Sequence, residues 1–111
     1  MNIQVNERTP GVFVVSLAGD LDMSASPLVR NTLLPIFKKK LSHLIVDLTE
    51  VPYIDSSGIA TFVEALQLAR KGEVRFSLAG ACPTVESIFE LAYLKNVFEM
   101  APDVNRLIDG D

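Results

Sequence analysis

The stretch Asp55-Ser56-Ser57-Gly58 brings together residue types that could do chemistry. It places a carboxylate, two hydroxyls and a glycine between two apolar runs. Three roles fit these residues. The carboxylate or a hydroxyl could cap a helix by accepting its first N–H groups, a serine beside a base could act as a nucleophile, and an exposed serine could accept a phosphate.

A helix cap accounts for only part of this stretch. Asp55 or Ser56 is expected to cap the following helix, but a single cap does not need two adjacent serines. Gly58 falls in the first helical turn, where glycine costs about 1 kcal/mol relative to alanine. Its missing side chain would let another chain or a ligand approach the helix end closely. We therefore expect the stretch to serve a partner as well as the fold.

Nucleophilic catalysis by this stretch finds little support in the sequence. The elbow of the serine hydrolases has the pattern G-x-S-x-G, and the segment YIDSSGI lacks its first glycine. The only histidine, His43, opens the preceding strand, so it should lie toward the opposite edge of the sheet from Ser56 and serve the structure. A small serine hydrolase is the least favoured alternative, and we expect a protein that is not an enzyme.

Phosphorylation is the remaining functional interpretation. A phosphate on Ser56 or Ser57 would be accepted by free N–H groups and by the dipole at the helix start. It would add about two negative charges to a surface and would break a contact made there with a partner. The residues by themselves do not choose between the two serines.

A second acidic motif, GDLDMSASP, follows the second predicted strand. Asp22 or Ser24 is expected to cap the next helix. Asp20 and Asp22 could form a paired-carboxylate site, but two-metal or glycosidase chemistry would need more ligands. If the second and third strands are parallel, their carboxyl ends share one edge of the sheet, and Asp22 should then lie near Asp55 and Ser56.

Composition excludes several classes of protein. The chain has 111 residues, of which 49% are hydrophobic, and a mean hydropathy of +0.30. No apolar run approaches the ~18 residues of a membrane span, so the apolar surplus belongs to the core or to a surface that meets a partner, a second copy of the chain included. The net charge of -4 argues against direct binding to nucleic acid.

The cysteine and histidine counts, together with the N-terminal segment, indicate a compartment. One cysteine, Cys82, excludes an internal disulfide and fits a reducing cytosol. The N-terminal residues lack the basic and apolar regions of a signal peptide, so we expect a cytoplasmic protein. One cysteine and one histidine are too few for the usual zinc site. Phosphate-loop and dinucleotide-binding motifs are absent, so the sequence predicts no metal and no cofactor.

Hydrophobic periodicity predicts alternating strands and helices. Strands are expected at NIQVN, Val12–Gly19, His43–Leu48, EVRFSLAG and NVFEM, and helices are expected to begin at Ser26-Pro27, at the Asp55 stretch, at Pro83 and at Pro102. Antiparallel pairing of the first two strands, followed by strand-helix alternation, predicts an α/β fold. We expect one domain over residues 1–111, with a mixed β-sheet of about four to five strands and helices packed against it.

Two helix faces can be assigned from the same periodicity. In the second helix, Thr61 and Glu64 are expected on the exposed face, and Gly72 is expected to cap the C-terminus. In the third helix, the predicted buried side consists of Val85, Ile88, Phe89 and Ala92.

The motifs, in this order, resemble the STAS domain, and in particular the bacterial anti-sigma factor antagonists. LAGDLDMSASPLV resembles the family's Gly-Glu-Leu-Asp loop, and VDLTEVPYIDSSGIATFVEAL resembles its segment around Asp-Ser-Ser-Gly. A third likeness lies in GEVRFSLAGACPTVESIFELAYLKNVFEM. The resemblance covers the chain from Val12 to Met100, and the Asp-Ser-Ser-Gly block is its most specific part.

This resemblance implies a cytosolic regulator that works by partner switching. The serine directly after the motif aspartate, Ser56, would be phosphorylated by a kinase that is itself the anti-sigma factor. The unmodified protein would bind that kinase and free the sigma factor, the modified one would release it, and a serine phosphatase would reset the switch. The residues expected to contact the partner are Asp22, Ser24, Asp55, Ser57, Gly58, Thr61 and Glu64.

Three departures from the family pattern concern partner choice. Asp20 stands where glutamate is common, Ala60 replaces a glycine near the start of the second helix, and Tyr93 replaces a glycine near the end of the third. STAS domains also serve as accessory subunits of bacterial lipid-transport ATP-binding cassette systems, in which the serine pair often changes. The intact Asp-Ser-Ser-Gly favours the phosphorylation switch over this alternative.

Overall fold

A five-stranded mixed sheet forms the centre of the computed structural model, which describes residues 1–109. The strands lie in chain order: β1 (Asn2–Thr9), β2 (Val12–Ala18), β3 (His43–Glu50), β4 (Arg75–Ala79) and β5 (Glu99–Ala101). β1 pairs antiparallel with β2, and the other neighbouring strands are parallel. The predicted α/β class is therefore confirmed. The last two residues of the predicted domain, 110–111, lie outside the described residues.

Within residues 1–109, four helices cover the two faces of the sheet unequally. They are α1 (Ser26–Ile36), α2 (Ser56–Lys71), α3 (Pro83–Leu91) and α4 (Val104–Ile108). The first three contribute Leu33, Phe62 and Phe89 to the main core. The short α4 covers part of the opposite face with Leu107. Among residues 1–109, none of these helices combines the length and apolar character that a membrane crossing needs.

The apolar run of β3 reflects burial on both faces. Leu44, Val46 and Leu48 belong to the core under α1, α2 and α3, whereas Ile45 packs with Leu107 on the other side. A strand covered on both faces is apolar at successive positions, without the alternation of polar and apolar residues seen in a half-exposed strand. The sequence pattern of a central parallel strand is therefore explained by its position between β2 and β4.

The ends of α1 and α2 lie close to a proline and a glycine, respectively, but the left-handed backbone conformation after α2 falls one residue later than expected. α1 ends at Ile36, directly after Pro35, which cannot donate the backbone bond that the helix would need. Gly72 is the C-cap residue of α2, as expected, but it has a φ of -94°. The left-handed conformation falls on the next residue, Glu73, whose φ is 56°.

Two burial predictions are wrong. Thr61 is only 8% exposed, because α2 packs against α1 as well as against the sheet, which widens its buried arc beyond one apolar stripe. Ala92 is exposed, because α3 ends at Leu91 and the chain turns away from the core there.

The loops after β2 and β3 meet at one edge of the sheet. Because these strands are parallel, both carboxyl ends point the same way. The Leu21 N–H donates to the carbonyl oxygen of Tyr53 at 2.9 Å, and the Asp55 N–H donates to the carbonyl oxygen of Leu21 at 3.1 Å. These two bonds join the acidic motifs of the sequence into one site.

Candidate functional site

Asp55 is the N-cap residue of α2 and organises its first turn. Its Oδ1 accepts hydrogen bonds from the Ser57 N–H at 2.8 Å, the Gly58 N–H at 3.3 Å and the Ser57 hydroxyl at 2.5 Å. The hydrogen bond from the Ser57 hydroxyl is the main reason why the pKa of Asp55 lies below its usual value. The capping role expected from the sequence belongs to Asp55, with Ser56 as the first helical residue.

The two serines differ in what holds them. The Ser57 hydroxyl donates to Asp55, and its oxygen lies 2.8 Å from Oγ of Ser26 in α1. The Ser26 hydroxyl also donates to the carbonyl oxygen of Asp22 at 2.9 Å, so this contact joins the start of α2 to the loop before α1. Ser56 is exposed, and within residues 1–109 its hydroxyl takes part in none of the hydrogen bonds that hold the two helix starts together. Ser57 is thus a structural hydroxyl, and Ser56 is a displayed one.

Gly58 is buried, and its lack of a side chain serves the protein's own packing. A Cβ at this position would lie 2.7 Å from Cγ1 of Ile54 and 2.7 Å from Cγ of Leu21. Real Cβ atoms do not approach carbon atoms so closely, so the start of α2 can rest on the two joined loops only with glycine here. The prediction that the missing side chain of Gly58 leaves space for a partner is therefore wrong, because Ile54 and Leu21 fill that space.

Asp22 forms the turn before α1, but the N-cap residue of that helix is Ala25, which makes no side-chain cap hydrogen bond. The prediction that Asp22 or Ser24 caps the helix is therefore wrong. Oδ1 of Asp22 accepts hydrogen bonds from the N–H groups of Ser24 and Ala25, at 3.0 and 3.1 Å, and from the Ser24 hydroxyl at 2.7 Å. The bond from the Ser24 hydroxyl is the main cause that lowers the pKa of Asp22. The negative charge of Asp22 acts in the opposite sense on the pKa of Asp55 and raises it slightly. The two carboxylates share one edge of the sheet, as expected from parallel strands.

Thr61 and Glu64 do not form one exposed face. The Thr61 hydroxyl donates to the carbonyl oxygen of Ser57 at 3.0 Å, and the side chain is buried between α2 and α1. The Glu64 carboxylate accepts two hydrogen bonds from the Arg30 guanidinium, at 2.7 and 2.9 Å, and remains 39% exposed. Of the two, only Glu64 is accessible to a partner.

Three exposed apolar side chains lie near the two helix starts, and the sequence motifs do not point to them. Met23, Leu28 and Tyr53 are 77%, 52% and 46% exposed. Met23 also lines a shallow groove of about 250 Å³ between α1 and α2, which Ser57 reaches from the other side. Their signal in the sequence was the position of apolar residues inside or beside polar loop segments.

His43 lies far from this site, at the other end of β3. Its ring is buried, and Nε2 lies 2.8 Å from Oγ of Ser77, whose hydroxyl donates to Glu99 at 2.6 Å. Because the one hydrogen of Ser77 goes to Glu99, Nε2 of His43 must carry the proton in this contact. The imidazole is thus hydrogen-bonded to the neighbouring strand, far from Ser56, and cannot act as a base on it. In the described part of the chain, no group of three or more His, Cys, Asp or Glu side chains could hold a metal ion.

Comparison with known proteins identifies what the chain resembles. The STAS domain model matches residues 3–107. The anti-sigma-B factor antagonist of Listeria monocytogenes is 30% identical over 100 residues, which cover 90% of this chain and 88% of that protein.

Solved structures show the same fold. The anti-sigma factor antagonist SpoIIAA in its unphosphorylated form superposes with a TM-score of 0.85 at 22% identity, over 97% of this chain and 94% of the other. The phosphorylated form of the Bacillus cell fate determinant SpoIIAA matches with a TM-score of 0.78 at 21% identity, over 97% of both chains.

Proposed function

The chain belongs to the STAS domain family, and we propose that it is an anti-sigma factor antagonist controlled by phosphorylation of Ser56. The relative from Listeria monocytogenes carries that functional name. The observation that carries the proposal is the difference between the two serines: Ser57 is tied to Asp55 and Ser26, and Ser56 is exposed at the first position of α2.

The position of Ser56 makes phosphorylation compatible with the fold. A phosphate there would lie at the start of a 16-residue helix, where the dipole favours negative charge. It would not displace a buried group, because Ser56 supports neither the cap nor the core. The modified and unmodified proteins would therefore share one fold and differ in surface charge.

The electrostatic surroundings give the modification its effect. Asp22 and Asp55 both have lowered pKa values, so their carboxylates are ionised at neutral pH. A phosphate on Ser56 adds about two charges of the same sign. A partner whose basic groups match the two carboxylates would meet a changed charge pattern, and apposed like charges cost several kcal/mol at an interface.

The proposed partner surface combines these carboxylates with apolar anchors. Met23, Leu28 and Tyr53 supply exposed apolar area of the kind that dominates binding energy when it is covered. Ser24, Ser57 and Gly58 shape the two turns, and Glu64 lies at the margin, already paired with Arg30. Thr61 contributes from the interior by fixing the carbonyl oxygen of Ser57.

In this proposal the partner that binds the unmodified protein is the anti-sigma factor, which is also the serine kinase, and a serine phosphatase reverses the modification. The protein itself is a binding module without catalysis. The free cysteine Cys82 fits action in the cytoplasm.

The test measures phosphate transfer and binding together. The purified chain is incubated with an anti-sigma factor kinase of the same organism and with ATP, and the modified residue is located by mass spectrometry. Ser56→Ala should take up no phosphate, whereas the matched control Ser57→Ala should still be modified. Phosphorylated protein should lose most of its affinity for the kinase.

Two results would contradict the proposal. Phosphate that persists in full in Ser56→Ala would remove Ser56 as the acceptor. Copurification with a transporter ATPase, with no incorporation of phosphate by any kinase tried, would favour an accessory subunit of a lipid-transport system instead.

A further inference from the structure

A second concave surface lies at the opposite edge of the sheet from Ser56, between the C-terminal ends of α1 and α2. This groove has a volume of about 610 Å³. Its floor is apolar and consists of half-buried side chains, several of which also pack against the core: Leu34, Phe37, Leu41, Leu68 and Val74.

The rim of this groove is basic. Lys38 and Lys39 follow α1, and Lys71 ends α2, so lysines from two separate segments line the same depression. The Lys39 ammonium also lies 5.9 Å from the centre of the Phe13 ring. All three lysines are exposed. Among the described residues that line the groove, Glu64 is the one carboxylate, and its charge is already neutralised by two hydrogen bonds to Arg30. In a chain with a net charge of -4, the groove is therefore a local region of opposite sign.

Helix electrostatics explains part of this arrangement. A lysine at a helix C-terminus stabilises the helix by interacting with its dipole, which accounts for one lysine beside each helix end. The dipole does not account for the apolar floor that the lysines surround. Apolar side chains left half exposed beneath a charged rim are typical of a surface that a partner covers.

We propose that this groove binds an acidic amphipathic helix of a partner protein. The lysines would pair with glutamate or aspartate side chains along the edges of that helix. Its apolar face, with residues spaced i, i+3, i+4 and i+7, would cover the floor around Phe37 and Leu68.

A helix suits this groove better than an extended peptide. The walls are two α-helices, whose backbone groups are satisfied internally, and the described residues that line the groove belong to no strand. A bound strand would leave its own N–H and C=O groups without partners on this side. A helix satisfies most of its backbone N–H and C=O groups internally, so it can bind through side-chain contacts alone.

Apart from Glu64, which lines the groove and lies at the margin of the partner surface, the groove is separate from the proposed phosphorylation switch. Ser56 and Lys71 are the first and last residues of α2, and a helix of this length separates them by roughly 22 Å. At physiological ionic strength, exposed charges at that separation are largely screened from each other. One partner could therefore stay bound in the groove while another exchanges at Ser56.

Synthetic peptides supply the probe for a test. One peptide has leucines at i, i+3, i+4 and i+7 and glutamates on the flanks, and a second has lysines in place of the glutamates. Binding to the full ¹⁵N-labelled chain is followed by amide chemical shifts and by fluorescence anisotropy at two salt concentrations. The acidic peptide should shift amides in 34–41 and 68–74, bind more weakly at higher salt, and bind at least tenfold more tightly than the basic one.

Charge reversal with a matched control locates the site. Lys38→Glu, Lys39→Glu and Lys71→Glu combined should weaken the acidic peptide at least tenfold. A control with the same change in net charge, Arg8→Glu, Lys95→Glu and Arg106→Glu combined, at positions that do not line the groove, should retain most of the affinity. Circular dichroism verifies that both variants fold.

Several outcomes would overturn the proposal. Equal binding of the two peptides, shifts confined to other surfaces, no acidic-peptide binding, or an equal loss in the control variant would each do so. Lysine-dependent binding to phosphatidylglycerol vesicles without peptide binding would assign the groove to a membrane surface. Ser56→Asp should leave peptide affinity unchanged; a large change would overturn the independence of the two sites, whereas failure of Ser56 as a phosphate acceptor leaves the groove unaffected.

Discussion

The hydroxyl oxygens of Ser26 and Ser57 lie 2.8 Å apart and join the first turns of α1 and α2. This contact continues to Asp55, which accepts the hydrogen of Ser57. One of two adjacent serines is thereby fixed in the fold, and its neighbour Ser56 is left at the surface. The proposed switch depends on this division, since a phosphate on Ser57 would have to break both contacts.

Asp55→Ala should destabilise the fold. It removes three hydrogen bonds from one carboxylate oxygen and leaves the Ser57 hydroxyl with one partner fewer. Loss of an N-cap alone costs about 0.5–2 kcal/mol, so we expect a decrease of at least 1 kcal/mol in the free energy of unfolding, measured in urea. Asp55→Asn, which can still cap, should lose less. An equal loss in both variants would show that the charge of Asp55, and not its capping geometry, matters most.

Gly58→Ala should also destabilise the fold, against the helix propensities of the two residues. Alanine is favoured over glycine in a helix by about 1 kcal/mol, but its methyl group would meet Ile54 and Leu21 at 2.7 Å. Overpacking of this kind costs about 1–3 kcal/mol, so the net effect on unfolding free energy should be a loss.

The exposed position Ala60 provides the control for Gly58. Ala60→Gly introduces the family's glycine into the same helix, where only propensity acts, and should cost about 1 kcal/mol. A stabilised Gly58→Ala would mean that Leu21 and Ile54 can move aside, and the packing explanation for Gly58 would fail.

The fold was largely predictable from the sequence, because hydrophobic periodicity reports directly which faces are covered. The parallel pairing of β2 and β3 followed from the crossover pattern, and with it the meeting of Asp22 and Asp55 at one edge. The wrong predictions concern positions whose neighbours come from another segment. Thr61 is buried by α1, which its own helix pattern does not describe.

The roles of the site residues could not be predicted in full for the same reason, because they depend on neighbours from other segments. Ser56 and Ser57 are chemically identical and adjacent. The hydroxyl of Ser57 differs by its bond to Asp55 and by its contact with Ser26, 31 residues earlier. The role of Gly58 depends on Leu21 and Ile54 being joined into one bridge. Such relations exist only after the loops are placed, so no local pattern carries them.

Acid should weaken the ion pair at the edge of the sheet. The Arg75 guanidinium, with help from the Ser77 hydroxyl, lowers the pKa of Glu99 from 4.5 to about 2. Because the folded pKa is below the unfolded one, the stabilisation is present above pH ~4.5 and is lost as the pH falls toward 2. The side chain is 40% exposed, so solvent screening makes the effect smaller than the shift alone would suggest.

Urea midpoints measured across this pH range check the role of Glu99. Glu99→Gln should flatten the dependence of stability on pH below 4.5, and Arg75→Gln should flatten it as well, because the carboxyl then loses its strongest partner. An unchanged slope in both variants would show that other carboxylates produce the acid sensitivity.

Tyr93→Gly should stabilise the protein. Tyr93 follows the C-cap of α3 with a φ of 59°, a left-handed conformation that costs an L-residue about 1–2 kcal/mol. Its N–H donates to the carbonyl oxygen of Glu90 at 3.0 Å, and the Leu94 N–H donates to that of Phe89 at 2.9 Å. These two bonds form a Schellman motif, in which glycine is preferred at the position of Tyr93.

The side chain of Tyr93 does little to offset the cost of this backbone conformation, because it is 90% exposed. We expect the free energy of unfolding to rise by about 1 kcal/mol in Tyr93→Gly, reduced somewhat by the greater freedom of glycine in the unfolded chain. Tyr93→Ala keeps the Cβ and should gain nothing. Glu73→Gly should gain similarly, because Glu73 occupies the equivalent position after α2 with a φ of 56°. If Tyr93→Gly instead lost stability while Glu73→Gly gained it, the tyrosine ring would have to contribute contacts that outweigh the backbone strain.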